Sequence, residues 1–77
     1  MSNKIKLIWD FRGPAAAQTA AHHKIHLKEF CDKEAYNDVE VGTKEISETY
    51  CLAYLIVSKE QMLVFRDALR PHRGETA

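Results

Sequence analysis

Residues 50–57 read YCLAYLIV, and this stretch decides the fold. It is aromatic, aliphatic and β-branched, and it contains no Gly, Pro or charged side chain, so it predicts a β-strand. Side chains alternate along a strand, so one face presents Cys51, Ala53, Leu55 and Val57 and the other presents Tyr50, Leu52, Tyr54 and Ile56. Because both faces are apolar, the strand needs cover on both sides of its sheet.

The amino-terminal half predicts one strand followed by one long helix. Residues 4–12, KIKLIWDFR, alternate between polar and apolar, with Ile8 as the single apolar residue on the polar side. Gly13-Pro14 ends this strand, and residues 15–35 contain no further Gly or Pro, which predicts a helix. On a helical wheel, six residues form a stripe that should face the sheet: Ala16, Ala20, His23, Leu27, Phe30 and Cys31.

The hairpin before residue 50 has two possible placements. Either a strand over 38–41 turns at Gly42, or that strand continues to about Ile46 and turns through residues 47–49. Both placements pair the strand with the 50–57 segment.

A second helix is predicted over residues 59–70. Ser58 and Gln61 fit a capping box at its start, and Pro71 ends it. Residues 72–77 are then predicted to form a polar C-terminal tail.

This order of elements predicts a single α+β domain over residues 1–77. The expected fold is a ferredoxin-like βαββα sandwich, with a three-stranded sheet and both helices on one face. We expect the first and third strands to be parallel neighbours and the two helices to run in the same direction. Arg70 and Arg73 would then lie at the opposite end of the molecule from Arg12.

Two helices on one face leave the other face of the sheet uncovered. The apolar residues predicted there are Ile8, Tyr50, Leu52, Tyr54 and Ile56. A soluble monomer rarely exposes such a patch, so the sequence predicts a homodimer that associates through the sheet. Pairing at an open sheet edge is another route to a dimer, and wrapping of the patch by the second helix or the tail is the single-chain alternative.

The amino-acid composition narrows the classes of partner that the sequence predicts. The chain has 77 residues, with 11 Lys plus Arg and 11 Asp plus Glu, so its net charge is zero with neutral His. Neither a nucleic acid nor a membrane is an expected partner, because the charge is balanced and no apolar stretch approaches the roughly 20 residues of a membrane span. We expect a cytoplasmic protein in which Cys31 and Cys51 are buried, reduced thiols, and no cofactor is predicted.

Three histidines on the long helix are candidates for chemistry. His22 and His26 stand four residues apart, with Glu29 one turn further on, which is a spacing able to hold a divalent metal. A solvated helix face is the competing interpretation. His23 lies within the apolar stripe, so we expect it to be buried with a lowered pKa, either as a core residue or as part of a pocket.

A third candidate site lies where the first strand meets the long helix. Arg12 and Gly13 precede the helix N-terminus, where free amide groups favour a small carboxylate or phosphate. With His23 they form the predicted ligand-binding set. The competing interpretation is a turn that needs Gly and Pro for its backbone shape.

Three runs resemble those of short uncharacterised bacterial proteins: IKLIWDFRGP, TAAHHKIHL and FRDALRPHRG. This resemblance implies a ferredoxin-like fold, but it implies no particular biochemical activity. In outline the domain also resembles ACT-type amino-acid-binding domains, in which a Gly often stands at the position of Gly13, and dimeric α+β-barrel proteins. The leading hypothesis is a dimeric, non-enzymatic module that binds a small ligand or a partner protein. The alternative is a small enzyme or metal-dependent protein that uses His22, His23 and His26.

Overall fold

The computed structural model describes residues 3–36 and 38–76. Its elements are β1 (Lys4–Arg12), α1 (Ala16–Lys33), β2 (Glu40–Ser47), β3 (Tyr50–Ser58), α2 (Met62–Leu69) and β4 (Arg73–Thr76). The strands form one antiparallel sheet in the order β2-β3-β1-β4. The chain is therefore a small α+β domain, as predicted, but the sheet has four strands, and the predicted three-stranded βαββα arrangement is wrong.

The additional strand comes from the segment predicted as a polar tail. β4 pairs with the first half of β1, from Ile5 opposite Thr76 to Ile8 opposite Arg73. Its four residues are all exposed and none is a large apolar residue. Because no hydrophobic alternation marks such a strand, its sequence carries no strand signal.

The predicted directions of the strands and helices were also wrong. β1 and β3 are antiparallel neighbours, from Lys4 opposite Ser58 to Arg12 opposite Tyr50. α1 returns the chain so that β2 runs in the same direction as β1, and the β2–β3 hairpin then reverses it. α2, which follows β3, therefore runs opposite to α1 and leads back to the carboxyl half of β1. There the backbone N–H of His72 donates to the carbonyl of Ile8 at 2.9 Å, so this segment and Arg12 lie toward the same end.

The hairpin follows the second of the two placements. β2 extends to Ser47 and β3 begins at Tyr50, with a bulge between Glu45 and Ser47. The reciprocal hydrogen bonds predicted between Ser58 and Gln61 are present, because the backbone N–H of Gln61 donates to Ser58 Oγ and that of Ser58 donates to Gln61 Oε1, both at 3.2 Å. They close a turn over residues 59–61 and do not cap the helix: α2 begins at Met62 with Gln61 as its N-cap, so the predicted start at residue 59 is wrong.

The hydrophobic core lies between the sheet and the two helices. It is built from Leu7 and Trp9 of β1, Ala53, Leu55 and Val57 of β3, Leu27 and Cys31 of α1, and Phe65 of α2. The Trp9 indole N–H donates to the carbonyl of Leu69 at 3.0 Å, which fixes the end of α2 to the sheet. Ala16, Ala20, Leu27 and Cys31 of the predicted α1 stripe are buried, and His23 and Phe30 are half-buried. In the described part of the chain, no helix is long and apolar enough to cross a membrane.

Candidate functional site

The sheet face away from the helices carries a polar network centred on Asp10 of β1. The Tyr50 hydroxyl donates to Asp10 Oδ1 at 2.5 Å, and Arg73 of β4 donates to both oxygens of the same carboxylate at 3.1 and 3.3 Å. Arg73 also donates to Glu75 at 2.6 Å. The hydrogen bonds from Arg73 and then from Tyr50 hold the pKa of Asp10 below its ordinary value, so this carboxylate is charged at neutral pH. The network joins three strands.

Cations lie over both tyrosine rings of this face. The Arg12 guanidinium is 4.0 Å from the centre of the Tyr50 ring, and the Lys6 amine is 4.5 Å from that of Tyr54. The electrons of an aromatic ring attract a cation that lies above its face. In both contacts the cation therefore lies between the ring and solvent.

The face is consequently less open than predicted. Ile8 is only 2% exposed and Leu52 only 5%. The expectation that Ile8 and Leu52 face water is therefore wrong, because both are buried within a single chain. Tyr50, Tyr54 and Ile56 are half-buried, and they are the part of the predicted interface that remains accessible.

On the helix side of the sheet, His23 lies between two aromatic rings. Its ring centre is 4.9 Å from that of Trp9 and 5.4 Å from that of Phe11. Its Nε2 atom is buried and has no hydrogen-bond partner among the described residues. Burial lowers the pKa of His23, and the charges of His26, His72 and His22 lower it further, which confirms the predicted direction.

The side chain of His72 contacts β1, which was not predicted. Its Nδ1 accepts a hydrogen bond from the backbone N–H of Asp10 at 2.8 Å, and its ring meets that of Phe11 edge-on at 6.2 Å. The bond requires Nδ1 to be unprotonated. Proline at position 71 signalled the end of α2, but nothing local to residue 72 indicated a partner on β1.

The predicted metal-binding residues form only a pair. His22 and His26 share a hydrogen bond between their Nε2 atoms, which are 2.9 Å apart on the exposed side of α1. Among the residues that the structure describes, no group of three or more His, Cys, Asp or Glu side chains is arranged to hold a metal ion. Glu29 therefore does not complete the predicted three-ligand set.

The predicted ligand-binding residues do not meet at one site. Arg12 lies over Tyr50 on the open face, whereas His23 packs on the helix side of the sheet. Gly13 has a φ of 112° and its N–H donates to the carbonyl of Thr49 at 2.8 Å, so it serves the turn between β1 and α1. Its amide is not free for an anion.

Both cysteines are free and buried, as predicted. Burial raises the pKa of the Cys31 thiol, and the nearby Asp32 carboxylate raises it further. A raised pKa disfavours the thiolate, which is the nucleophilic form.

A groove between α2 and β4 is the site that sequence reasoning missed. It has a volume of about 350 Å³. Ile5 and Leu7 lie at its base, Met62 and Arg66 contribute from α2, and Gly74 contributes from β4. The groove exists only because β4 pairs with β1, and the sequence did not predict that strand.

Comparison of the chain with protein-family models, with curated proteins and with solved structures finds no match.

Proposed function

We propose that this chain is a non-catalytic binding module that works as a homodimer and accepts a small ligand or a partner protein. The order of its elements and the strand order β2-β3-β1-β4 support a ferredoxin-like arrangement of the α+β domain. Because one fold can serve many functions, the functional part of the proposal rests on individual residues.

One observation carries the proposal: the side chains suited to chemistry are already used within the chain. The Asp10 carboxylate is bonded to Arg73 and Tyr50, Nδ1 of His72 accepts from a backbone amide, and His22 is bonded to His26. Catalysis by a nucleophile and a base requires two such groups within hydrogen-bonding reach of each other and of a substrate. Nε2 of His23 has no hydrogen-bond partner within the described ranges, but the rings beside it belong to Trp9 and Phe11.

Self-association is supported by the apolar surface that remains on the sheet. Tyr50, Tyr54 and Ile56 lie on one face and are still partly accessible. A partner sheet on this face would bury the tyrosine rings together with the cations above them, so Arg12 and Lys6 must find carboxylates or swing outward. We expect this cost to keep the dimer weak.

Sedimentation equilibrium at micromolar concentrations tests the dimer. We expect the mass to exceed that of one chain, and Ile56→Lys to return it toward one chain because a charge would be desolvated in the interface. Ile25→Lys is the matched control, since Ile25 is an apolar residue on α1 that is 56% exposed and lies away from the sheet face. A mass of one chain throughout the concentration range would contradict the proposed dimer.

A metal-dependent function is the second candidate, and the His22–His26 pair favours it. Nε2 atoms 2.9 Å apart can both bind one ion, and imidazole suits zinc, copper and nickel. Two exposed ligands hold an ion weakly, so this candidate needs ligands from a second chain. Stoichiometric metal in protein purified without a histidine tag would favour it over the binding module.

A further inference from the structure

The groove between α2 and β4 has the size and lining of a small-molecule site. Its volume of about 350 Å³ lies within the range of ligand pockets, which is roughly 300–1,000 Å³. Ile5, Leu7, Met62 and Pro71 give it an apolar lining, and Arg66, Arg73 and Glu75 are its charged lining residues. Apolar walls with a few polar groups are typical of sites for small organic ligands.

Gly74 keeps this groove open. It lies opposite Leu7 in the β1–β4 ladder. A β-carbon at position 74 would lie 3.6 Å from Leu7 Cδ2 and 3.7 Å from Ile5 Cγ2, which is ordinary van der Waals contact. A side chain would therefore fit at this position and cover the base of the groove, and its absence leaves Ile5 and Leu7 uncovered.

The charged side chains that line the groove are Arg66, Arg73 and Glu75, so its lining carries a net charge of +1. Arg73 and Glu75 are bonded to each other at 2.6 Å, and Arg73 also binds Asp10. Within the described part of the chain, the Arg66 guanidinium forms an ion pair with Asp67 alone, at 3.5 Å, and the two side chains are 56% and 76% exposed. Such an exposed pair contributes little, so Arg66 can turn to another anion. Guanidinium binds carboxylates through two parallel hydrogen bonds.

We propose that this groove binds a small amphipathic carboxylate, with its hydrocarbon part on Ile5, Leu7 and Met62 and its carboxylate against Arg66. The proposal rests on the binding function proposed above and names its ligand class. Burying the hydrocarbon part supplies the attraction, and Arg66 selects the sign of the head group.

The test is an NMR titration of the intact protein with octanoate, and with octylammonium as the probe of opposite charge. We expect saturable shifts of the Gly74 and Leu7 amide signals with octanoate. We expect octylammonium to bind about tenfold more weakly, because Arg66 repels it. Equal binding of the two probes, or no shift with octanoate at millimolar concentration, overturns the proposal.

Two variants locate the bound molecule. In Gly74→Leu the new side chain fills the groove, so octanoate binding should be lost while the melting temperature stays the same or rises. Arg66→Glu should weaken octanoate binding by about tenfold. Lys59→Glu is the matched control, since it makes the same charge change at an exposed residue outside the groove, and it should leave binding unchanged.

The outcomes separate this inference from the proposed function. Undiminished octanoate binding in both Gly74→Leu and Arg66→Glu overturns the groove as the site. If Gly74→Leu does not fold, Arg66→Glu against Lys59→Glu still decides the question. A dimer that persists without octanoate binding overturns only the ligand class, whereas octanoate binding to a strictly monomeric protein overturns only the dimer.

Discussion

Gly42 of β2 and Tyr54 of β3 lie opposite each other in the sheet, and the tyrosine ring covers the glycine. A β-carbon at position 42 would collide with the ring and hydroxyl of Tyr54. The glycine is buried by this contact. At the scale of single residues, the missing side chain at position 42 lets the Tyr54 ring pack against β2.

We therefore predict that Gly42→Ala lowers the free energy of unfolding by about 1–3 kcal/mol, because Tyr54 must leave its position. Urea denaturation measures this change. Gly74→Ala is the matched control, since the nearest atom to its new β-carbon would be 3.6 Å away. It should be neutral or slightly stabilising. A Gly42→Ala protein as stable as Gly74→Ala would contradict the proposed packing of Tyr54.

His23 makes a second prediction at this scale, which concerns pH. Its pKa in the folded chain lies below the ordinary 6.5, so the unfolded chain binds the proton more readily. Its contribution to stability is therefore complete above pH 6.5 and is lost as the pH falls through the lower, folded pKa. We expect the free energy of unfolding to decrease between pH 7.5 and 5.5, and to decrease less in His23→Leu. Urea denaturation at both pH values measures the difference, and equal slopes for the two proteins would refute it.

At the scale of elements, β4 is the strand held in place by the fewest interactions. It is four residues long, polar and exposed, and it forms one edge of the sheet. Pairing with β1, the bonds from Arg73 to Asp10 and the two bonds of His72 to β1 hold it in place. Segments with few buried contacts open first in native proteins, so β4 should open more readily than the central strands.

We predict that Asp10→Asn loosens β4, because it removes the charge that binds Arg73. Hydrogen exchange should become several-fold faster at the amides of β4 and His72, with β3 unchanged. Asp67→Asn, at an exposed residue of α2, is the control. Uniform acceleration across β3 and β4 would show that β4 does not open separately.

The same carboxylate makes stability depend on pH. The pKa of Asp10 lies below its ordinary 3.8, so its contribution to the free energy of unfolding is present above pH 3.8 and is lost as the pH falls below it.

At the scale of the whole molecule, the domain covers the two faces of its sheet by different means. The helices cover one face with apolar side chains in close contact. On the other face, Ile8 and Leu52 are also buried, and cations lie above the rings of Tyr50 and Tyr54. A small domain has a limited core, so burial on this second face adds to what the two helices supply. The cations give that face a polar outer surface, which is why we expect association through it to be weak.

The sequence by itself determined the local elements. β1 was predicted at its observed bounds, β3 within one residue, and the buried side of α1 followed from the wheel. The lowered pKa of His23 followed from its place in that stripe. These features depend on residues two to four positions apart, and such spacings are visible in the sequence as periods of 2 and 3.6.

Three features depend on the tertiary structure and could not be predicted from the sequence: the fourth strand, the burial of Ile8 and the groove. β4 is held by backbone pairing and by a bond between Arg73 and Asp10, which are 63 positions apart. Every residue has a backbone carbonyl that accepts, and every residue except proline has an N–H that donates, so the sequence RGET does not indicate which strand it pairs with. Ile8 lies opposite Tyr54 of β3 and Arg73 of β4, and these neighbours are brought beside it only by the fold. The groove is formed by a helix and a strand that meet only after the chain has reversed direction.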